Sequence, residues 1–361
     1  MSIEDRVRGV IGADGRGQGE FALGIGLDPT KMSKSLAGAR RFTSLELAKI
    51  AEAGQVTVDY LVSGQSSELA LAARKNRGTP VDEATRVGAR LAELRGIAND
   101  LGYDEPLTDL ASDDLTGLEI ERAAALAVRA HEHLATLELN PTVDDLASEV
   151  ERAFGFDVAV APLGTDFDGL SVRGERTRLM VIAPTTNPGR FRFTIAHELG
   201  HLLFADDQGL HLDQDIYAAS TKDRSEMRAN AFAAAFLMPE AVIRRRVSAK
   251  LSQVEFARLA LDLAVTPSAL DYRLMGLGLR DFGPDQVPSM EKAARQARDL
   301  DHYAALVELS SRPRPPRLLA QSLLRAYLDG ETSIRAYAEV MGVDTEMARR
   351  DANRPVEGFE A

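Results

Sequence analysis

The chain has 361 residues, of which 45% are hydrophobic and 27% charged, the balance of a folded protein with room for two or three domains rather than of a disordered chain. It contains no cysteine, which excludes disulfides and thiolate metal sites and leaves His and carboxylates to hold any metal. The formal net charge of -12 opposes nucleic acid when spread evenly, yet Pro29 to Leu45 carries Lys31, Lys34, Arg40 and Arg41 and no acidic residue, so one basic face remains open.

No apolar run approaches the roughly 18–20 residues that a membrane helix needs. The opening Met1-Ser2-Ile3-Glu4-Asp5-Arg6 lacks a basic segment followed by an apolar one, so no signal peptide is read there and a cytoplasmic location away from membranes is expected. The first 64 residues read as short helices between glycine-bearing turns. Gly12, Gly15, Gly17 and Gly19 crowd the first of them, and glycine costs ~1 kcal/mol per helical site, so that helix is expected to be short or frayed. Glu20 to Ile25 reads as the next, then Lys31 to Ala37, with Asp28 as N-cap, Pro29 at the first helical position and Gly38 as the stop. A further helix runs from Ser44, its expected cap, to Ala51, and Val58 to Val62 closes the bundle.

The run "LDPTKMSKSLAGARRFTSLELAKIA" resembles the helix-turn-helix domain of phage-repressor-like (XRE/Cro-type) regulators. The resemblance implies a domain over residues 1–66 that contacts double-stranded DNA. Lys31, Ser33, Lys34 and Ser35 would lie on its recognition helix, with Arg40 and Arg41 just beyond to hold phosphates. A solvated basic face used for protein contact is the competing reading.

Residues 67–139 are read as a helical connector, with helical apolar spacing from Val81 to Leu101 and from Leu118 to Leu137. Thr142 with Asp145 resembles a capping box opening a helix to Ala153. The period then changes to that of strands at Phe156 to Val160, Gly169 to Val172 and Leu179 to Ile182, with Gly174-Glu175 as a turn. Helices follow at Ser225 to Leu237, Glu240 to Lys250, Ser252 to Leu263 and Pro267 to Leu277. "SRPRPPR" (Ser311 to Arg317) reads as a stiff hinge before a helical tail. In that tail Ser333 to Arg350, with its Gly342-Val343-Asp344 turn, is either a second helix-turn-helix-like unit or a packing subdomain.

The chemistry is carried by His197-Glu198-Leu199-Gly200-His201. Two histidines four apart share one face of a helix, about one turn apart, and can hold the same tetrahedral zinc ion. Zinc lowers the pKa of a water it holds to roughly 7, and a neighbouring carboxylate can take the proton. Glu198 is placed for that task but not for ligation. The apolar flanks Ile195, Leu199, Leu202 and Leu203 bury the helix, and buried neutral histidines need partners. A third ligand is required. Glu226, on the helix "SEMRANAFAAAFLMP", faces the metal in one reading, with Asn230, Ala233 and Leu237 on the same face; in the other it is a solvated acid at a helix start. Tyr217, Arg224 and His211 are weaker candidates for stabilising an oxyanion. His131 and His133 point to different faces and read as surface residues, and His302 stands alone in a charged stretch.

Together, "RFTIAHELGHLLF", "EMRANAFAAAFLMP" and the preceding "DGLSVRGERTRLMVIAP" resemble the ImmA/IrrE family of bacterial and phage metallopeptidases over residues 140–280. The resemblance implies His197, His201 and Glu226 as zinc ligands, Glu198 as general base, and a repressor-like or co-encoded protein as substrate. The expected architecture is α+β, mostly α: the helix-turn-helix bundle, the connector, a zincin-like core with a small three-stranded sheet, and a helical C-terminal region over 281–361. The function read from it is a zinc endopeptidase and regulator, with room for a homodimer. The rival is a DNA-binding or antitoxin-like regulator whose metallopeptidase fold does not turn over.

Overall fold

The computed structural model of the chain describes residues 2–54, 61, 81–108, 110, 116–140, 144–164, 167–205, 209–214, 224–279 and 286–353. The chain divides into two units, Met1–Asp82 and Glu83–Ala361.

In the first unit, α1 (Ile3–Asp14) is a complete 12-residue helix rather than a frayed one. Ser2 accepts from the Asp5 N–H and Asp5 accepts from the Ser2 N–H at 3.1 Å, a reciprocal cap. Gly9 and Gly12 are exposed, while Val7, Val10 and Ile11 are buried. The cap and the buried face together offset the glycine cost. Helix α2 spans Gln18–Gly24. Asp28 then accepts from the N–H groups of Thr30 and Lys31, at 2.7 and 3.0 Å, and opens α3 (Pro29–Leu36) with Pro29 at its start. Helix α4 (Ser44–Gly54) takes Thr43 rather than Ser44 as its cap: Thr43 Oγ1 accepts from the Glu46 N–H, and Glu46 Oε2 accepts from the Thr43 N–H. Phe21, Met32, Leu36, Leu47 and Ile50 form the core. The segment expected to close the bundle lies outside the described residues except Leu61, which is buried and whose carbonyl accepts from Arg6 Nε at 2.9 Å.

The second unit is built on a sheet of β1 (Asp157–Val160), β2 (Phe167–Arg173), β3 (Arg178–Ile182) and β4 (Gly209–Gln214), in the order β1-β3-β2-β4. The three expected strands are present, and β4 adds a fourth on the outer side of β2. β1 runs parallel to β3, whereas β2 is antiparallel to both β3 and β4. The β2–β3 turn falls where expected, closed by the Gly174 N–H donating to the Thr177 carbonyl.

Around the sheet lie α5 (Val81–Asp100), α6 (Glu119–Thr136), α7 (Leu146–Phe154), α8 (Pro188–Phe204) and α9 (Arg224–Leu237). Asp145, not Thr142, caps α7, accepting from the Ser148 N–H at 3.1 Å. Thr142 lies outside the described residues. Leu126, Ala130 and Leu134 of α6 enter the same core as Ile195, Leu199, Phe232 and Phe236 of α8 and α9. Burying each large apolar side chain of that set contributes roughly 1.5–3 kcal/mol. Helices α10 (Glu240–Arg246), α11 (Gln253–Asp262) and α12 (Pro267–Gly276) continue the unit, followed by α13 (Met290–Ala297), α14 (Leu300–Ser311), α15 (Arg317–Leu328), α16 (Ile334–Met341) and α17 (Thr345–Ala352). Gly342 at φ 65° and the Asp344 cap make a short turn between α16 and α17. Leu319, Leu323, Ile334 and Ala338 pack there with Leu94 and Ala98 of α5.

The proline-rich run is no free hinge. Arg314 bridges Val160 through two backbone hydrogen bonds of 2.8 and 2.9 Å, and its guanidinium pairs with buried Glu151. Glu151 also accepts from the Arg317 N–H at 2.8 Å, although burial still raises its carboxyl pKa above the ordinary value. Beside it, buried Asp157 receives Arg95 through two contacts of 2.6 Å and the Leu319 N–H at 3.0 Å. No helix among the described residues is long and apolar enough to cross a membrane.

Candidate metal centre

Helix α8 is nearly all buried. Asn187 caps it by accepting from the Arg190 N–H, and Pro188 occupies its first position. Gly189 is required there, since a Cβ would come within 2.5 Å of the Thr266 backbone nitrogen. A helix so enclosed holds its side chains in one orientation, which is what a metal site needs. His197 and Glu198 are fully buried and His201 is 4% exposed.

The next helix comes close because both helices carry small residues at the crossing. A Cβ on Gly200 would lie 3.1 Å from Phe232 Cδ1 and 3.4 Å from Ala229 Cα. Glu226 starts α9 and reaches both imidazoles: one carboxylate oxygen is 3.4 Å from His197 Nε2, and the other is 3.3 Å from His201 Nε2. The two Nε2 atoms are 3.0 Å apart. Ligand atoms 2.0–2.1 Å from a tetrahedral zinc ion are separated by about 3.3–3.4 Å. The separations of 3.0, 3.3 and 3.4 Å among the two imidazoles and the carboxylate therefore fit zinc, with a fourth position to spare. These three residues are the one group of this kind among the described residues.

His197 Nδ1 donates to Asn230 Oδ1 at 3.1 Å. The carboxylate of Glu198 lies against β2, where a Cβ on Gly169 would meet Glu198 Oε1 and Thr194 Cγ2 at 2.8 Å each. On a helix Glu198 is turned about 60° from His201, so it flanks the ligand face without joining it. One turn before Thr194, Arg190 pairs with Asp168 of β2, with Nε 3.1 Å from Asp168 Oδ2. Arg192, on the same helix, is fully buried, which lowers its pKa to about 10, and donates to the Asp144 carbonyl.

Residues 151–275 match the model of a peptidase family described as the IrrE N-terminal-like domain. The matched segment contains His197, Glu198, His201 and Glu226, so it supports the ImmA/IrrE resemblance and a metallopeptidase type of fold for that part of the chain. Peptidases of this family are typically zinc-dependent. No curated protein matches the chain.

Arg224 is exposed at the start of α9; Tyr217 and the His211 side chain lie outside the described residues. His131 and His133 are half-buried structural residues rather than surface ones. Their Nε2 atoms contact the carbonyls of Phe236 and Ala153 at 2.8 and 2.7 Å, joining α6 to the ends of α9 and α7. His302 contacts Asp144 at 2.9 Å. In the first unit Lys31, Ser33, Lys34 and Arg41 are exposed. Ser35 is fully buried, because the α3 face that bears it packs inward with Met32 and Leu36, and so it cannot reach a base. Arg40 is half-buried and paired with Glu46. Sequence reasoning missed Gly169 and Thr194, whose role depends on β2 crossing α8. It placed Asn230 on the right face without a task.

Proposed function

We propose that this chain is a cytoplasmic zinc-dependent endopeptidase that cuts a specific, repressor-like partner protein. The observation that carries this reading is the cluster of His197 Nε2, His201 Nε2 and the two Glu226 oxygens, with separations of 3.0–3.4 Å between the residues, and buried Glu198 beside it. His197, His201 and Glu226 would hold the ion. Zinc, when bound, acidifies a water and polarises the scissile carbonyl. Glu198 would take that water's proton on its carboxylate as the oxygen adds to the carbonyl carbon, and would give it to the amine nitrogen as the C–N bond breaks. Gly169, having no Cβ, leaves the room that this carboxylate occupies against β2. A substrate segment that adds to the sheet meets β4, the outer strand beside β2.

The test incubates the chain with proteins encoded beside its gene and reads fragments by mass spectrometry. The wild type with zinc should cut one of them at a defined bond. Glu198→Gln should keep zinc and lose cleavage, and a Glu198→Gln protein that cleaves at the wild-type rate would overturn the general-base role. A second reading, regulation through DNA without turnover, draws on the exposed Lys31, Ser33, Lys34 and Arg41 of the first unit. It predicts operator binding that weakens steeply with salt and is lost in Lys31→Glu/Lys34→Glu, with no cleavage of any co-encoded protein.

A further inference from the structure

We infer that Asn230 is a positioning residue of the metal centre, fixing the His197 tautomer that turns an Nε2 lone pair toward the ion. The inference rests on the metal-centre reading above and adds to it a residue that does not touch the metal. Asn230 Oδ1 carries no proton, so the proton shared across the 3.1 Å contact belongs to His197 Nδ1. A neutral imidazole has one N–H, so Nε2 is left as an acceptor. That atom faces His201 Nε2 at 3.0 Å and Glu226 at 3.4 Å. With the opposite tautomer, an N–H would point into the cluster where the ion belongs.

Asn230 stands one turn after Glu226 on α9. A single helix therefore supplies the third ligand and orients the first, and one rotation of α9 sets both. The close packing of Ala229 and Phe232 on Gly200 fixes that rotation. The partner is a neutral amide rather than a carboxylate, so it selects the tautomer without adding charge to the buried imidazole.

The test uses the full chain and three variants. Asn230→Leu keeps the volume but has no acceptor, Asn230→Asp keeps the acceptor, and Asn230→Ala serves in place of the leucine variant if that one does not fold. Two-bond ¹⁵N correlation spectra of the metal-free protein report the ring tautomer. Competition with a chromophoric chelator reports zinc affinity. Wild type and Asn230→Asp should show His197 protonated at Nδ1, whereas Asn230→Leu should shift toward Nε2 protonation. Zinc affinity should fall about 10–100-fold in Asn230→Leu and stay within about threefold of wild type, or rise, in Asn230→Asp. An Asn230→Leu protein with the wild-type tautomer and affinity would overturn the inference, as would equal losses in the leucine and aspartate variants. Failure of the wild type to bind one zinc ion would instead sink the metal-centre reading, and the metal-free spectra would still decide the role of Asn230.

Discussion

Replacing Gly169 with alanine adds one methyl group between β2 and α8. Its Cβ would sit 2.8 Å from Glu198 Oε1, 2.8 Å from Thr194 Cγ2 and 3.3 Å from Glu198 Cγ. Comfortable contacts are about 3.5 Å, so something must retreat by roughly 0.5–1 Å. Strand β2 is held on both edges, with Gly169 paired to Ile182 and Asp213, and Thr194 is fixed in a buried helix. The Glu198 side chain, with its rotatable bonds, is the softest element. Displacing a reacting group by about 1 Å costs on the order of 10²-fold in rate, and the overpacking itself costs about 1–3 kcal/mol of stability. His197, His201 and Glu226 are not among the contacts of the added methyl, so zinc affinity should hold. Gly169→Ala is therefore expected to bind zinc like wild type, to unfold at somewhat lower urea concentration, and to cleave the identified partner about 10²-fold more slowly. Wild-type turnover together with unchanged zinc binding would refute the claim that Gly169 positions Glu198.

Zinc at a free concentration 100 times its Kd should stabilise the chain by about 2.7 kcal/mol, an increase in Tm of about 4–5 °C for a unit of this size. Calorimetry with zinc and with a chelator checks this, and His201→Ala should abolish the difference. Asp157→Asn strands the buried Arg95 guanidinium and should cost about 3–5 kcal/mol by urea unfolding, while the double change Arg95→Met/Asp157→Leu should cost less. Burial holds the His131 pKa below its ordinary value of 6.5. The unfolded chain therefore binds a proton that the folded one refuses, so the contribution is intact above pH 6.5 and is lost as the pH falls below it. Urea midpoints at about pH 7.5 and about pH 5.5 should differ less in His131→Gln than in wild type.

The cluster of His197, His201 and Glu226 that could hold a metal was legible because its signal is local: a four-residue spacing on one helix, and an acid opening the next. Asp28 with Pro29, and the strands β1, β2 and β3, were legible for the same reason. What escaped depends on partners distant in the chain. Nothing near Gly209 announces a strand, because β4 exists by pairing with β2. The prolines around Arg314 looked like a hinge because their anchors, Val160 and Glu151, lie more than 150 positions earlier. Gly12, Gly15, Gly17 and Gly19 suggested a frayed first helix, but only Gly12 lies within α1, where buried Val7 and Val10 act through packing, while Gly15 ends α1 and Gly17 and Gly19 fall at the start of α2. Asn230 was visible one turn beyond Glu226, but its task appears only when α8 and α9 cross.

The two buried carboxylates under β1 carry a consequence for dissecting the molecule. Asp157 and Glu151 both fall inside the segment that matches the peptidase family, and Glu151 accepts from the Val158 N–H within it, yet their cationic partners Arg95 and Arg314 and the N–H donors of Arg317 and Leu319 lie outside it. A fragment trimmed to the homologous stretch would strip both anions of their counter-charges and remove α15, which packs against β1 and α7. Excision at the family borders should therefore yield insoluble protein. A fragment that keeps Glu83 through Asn353 should remain folded.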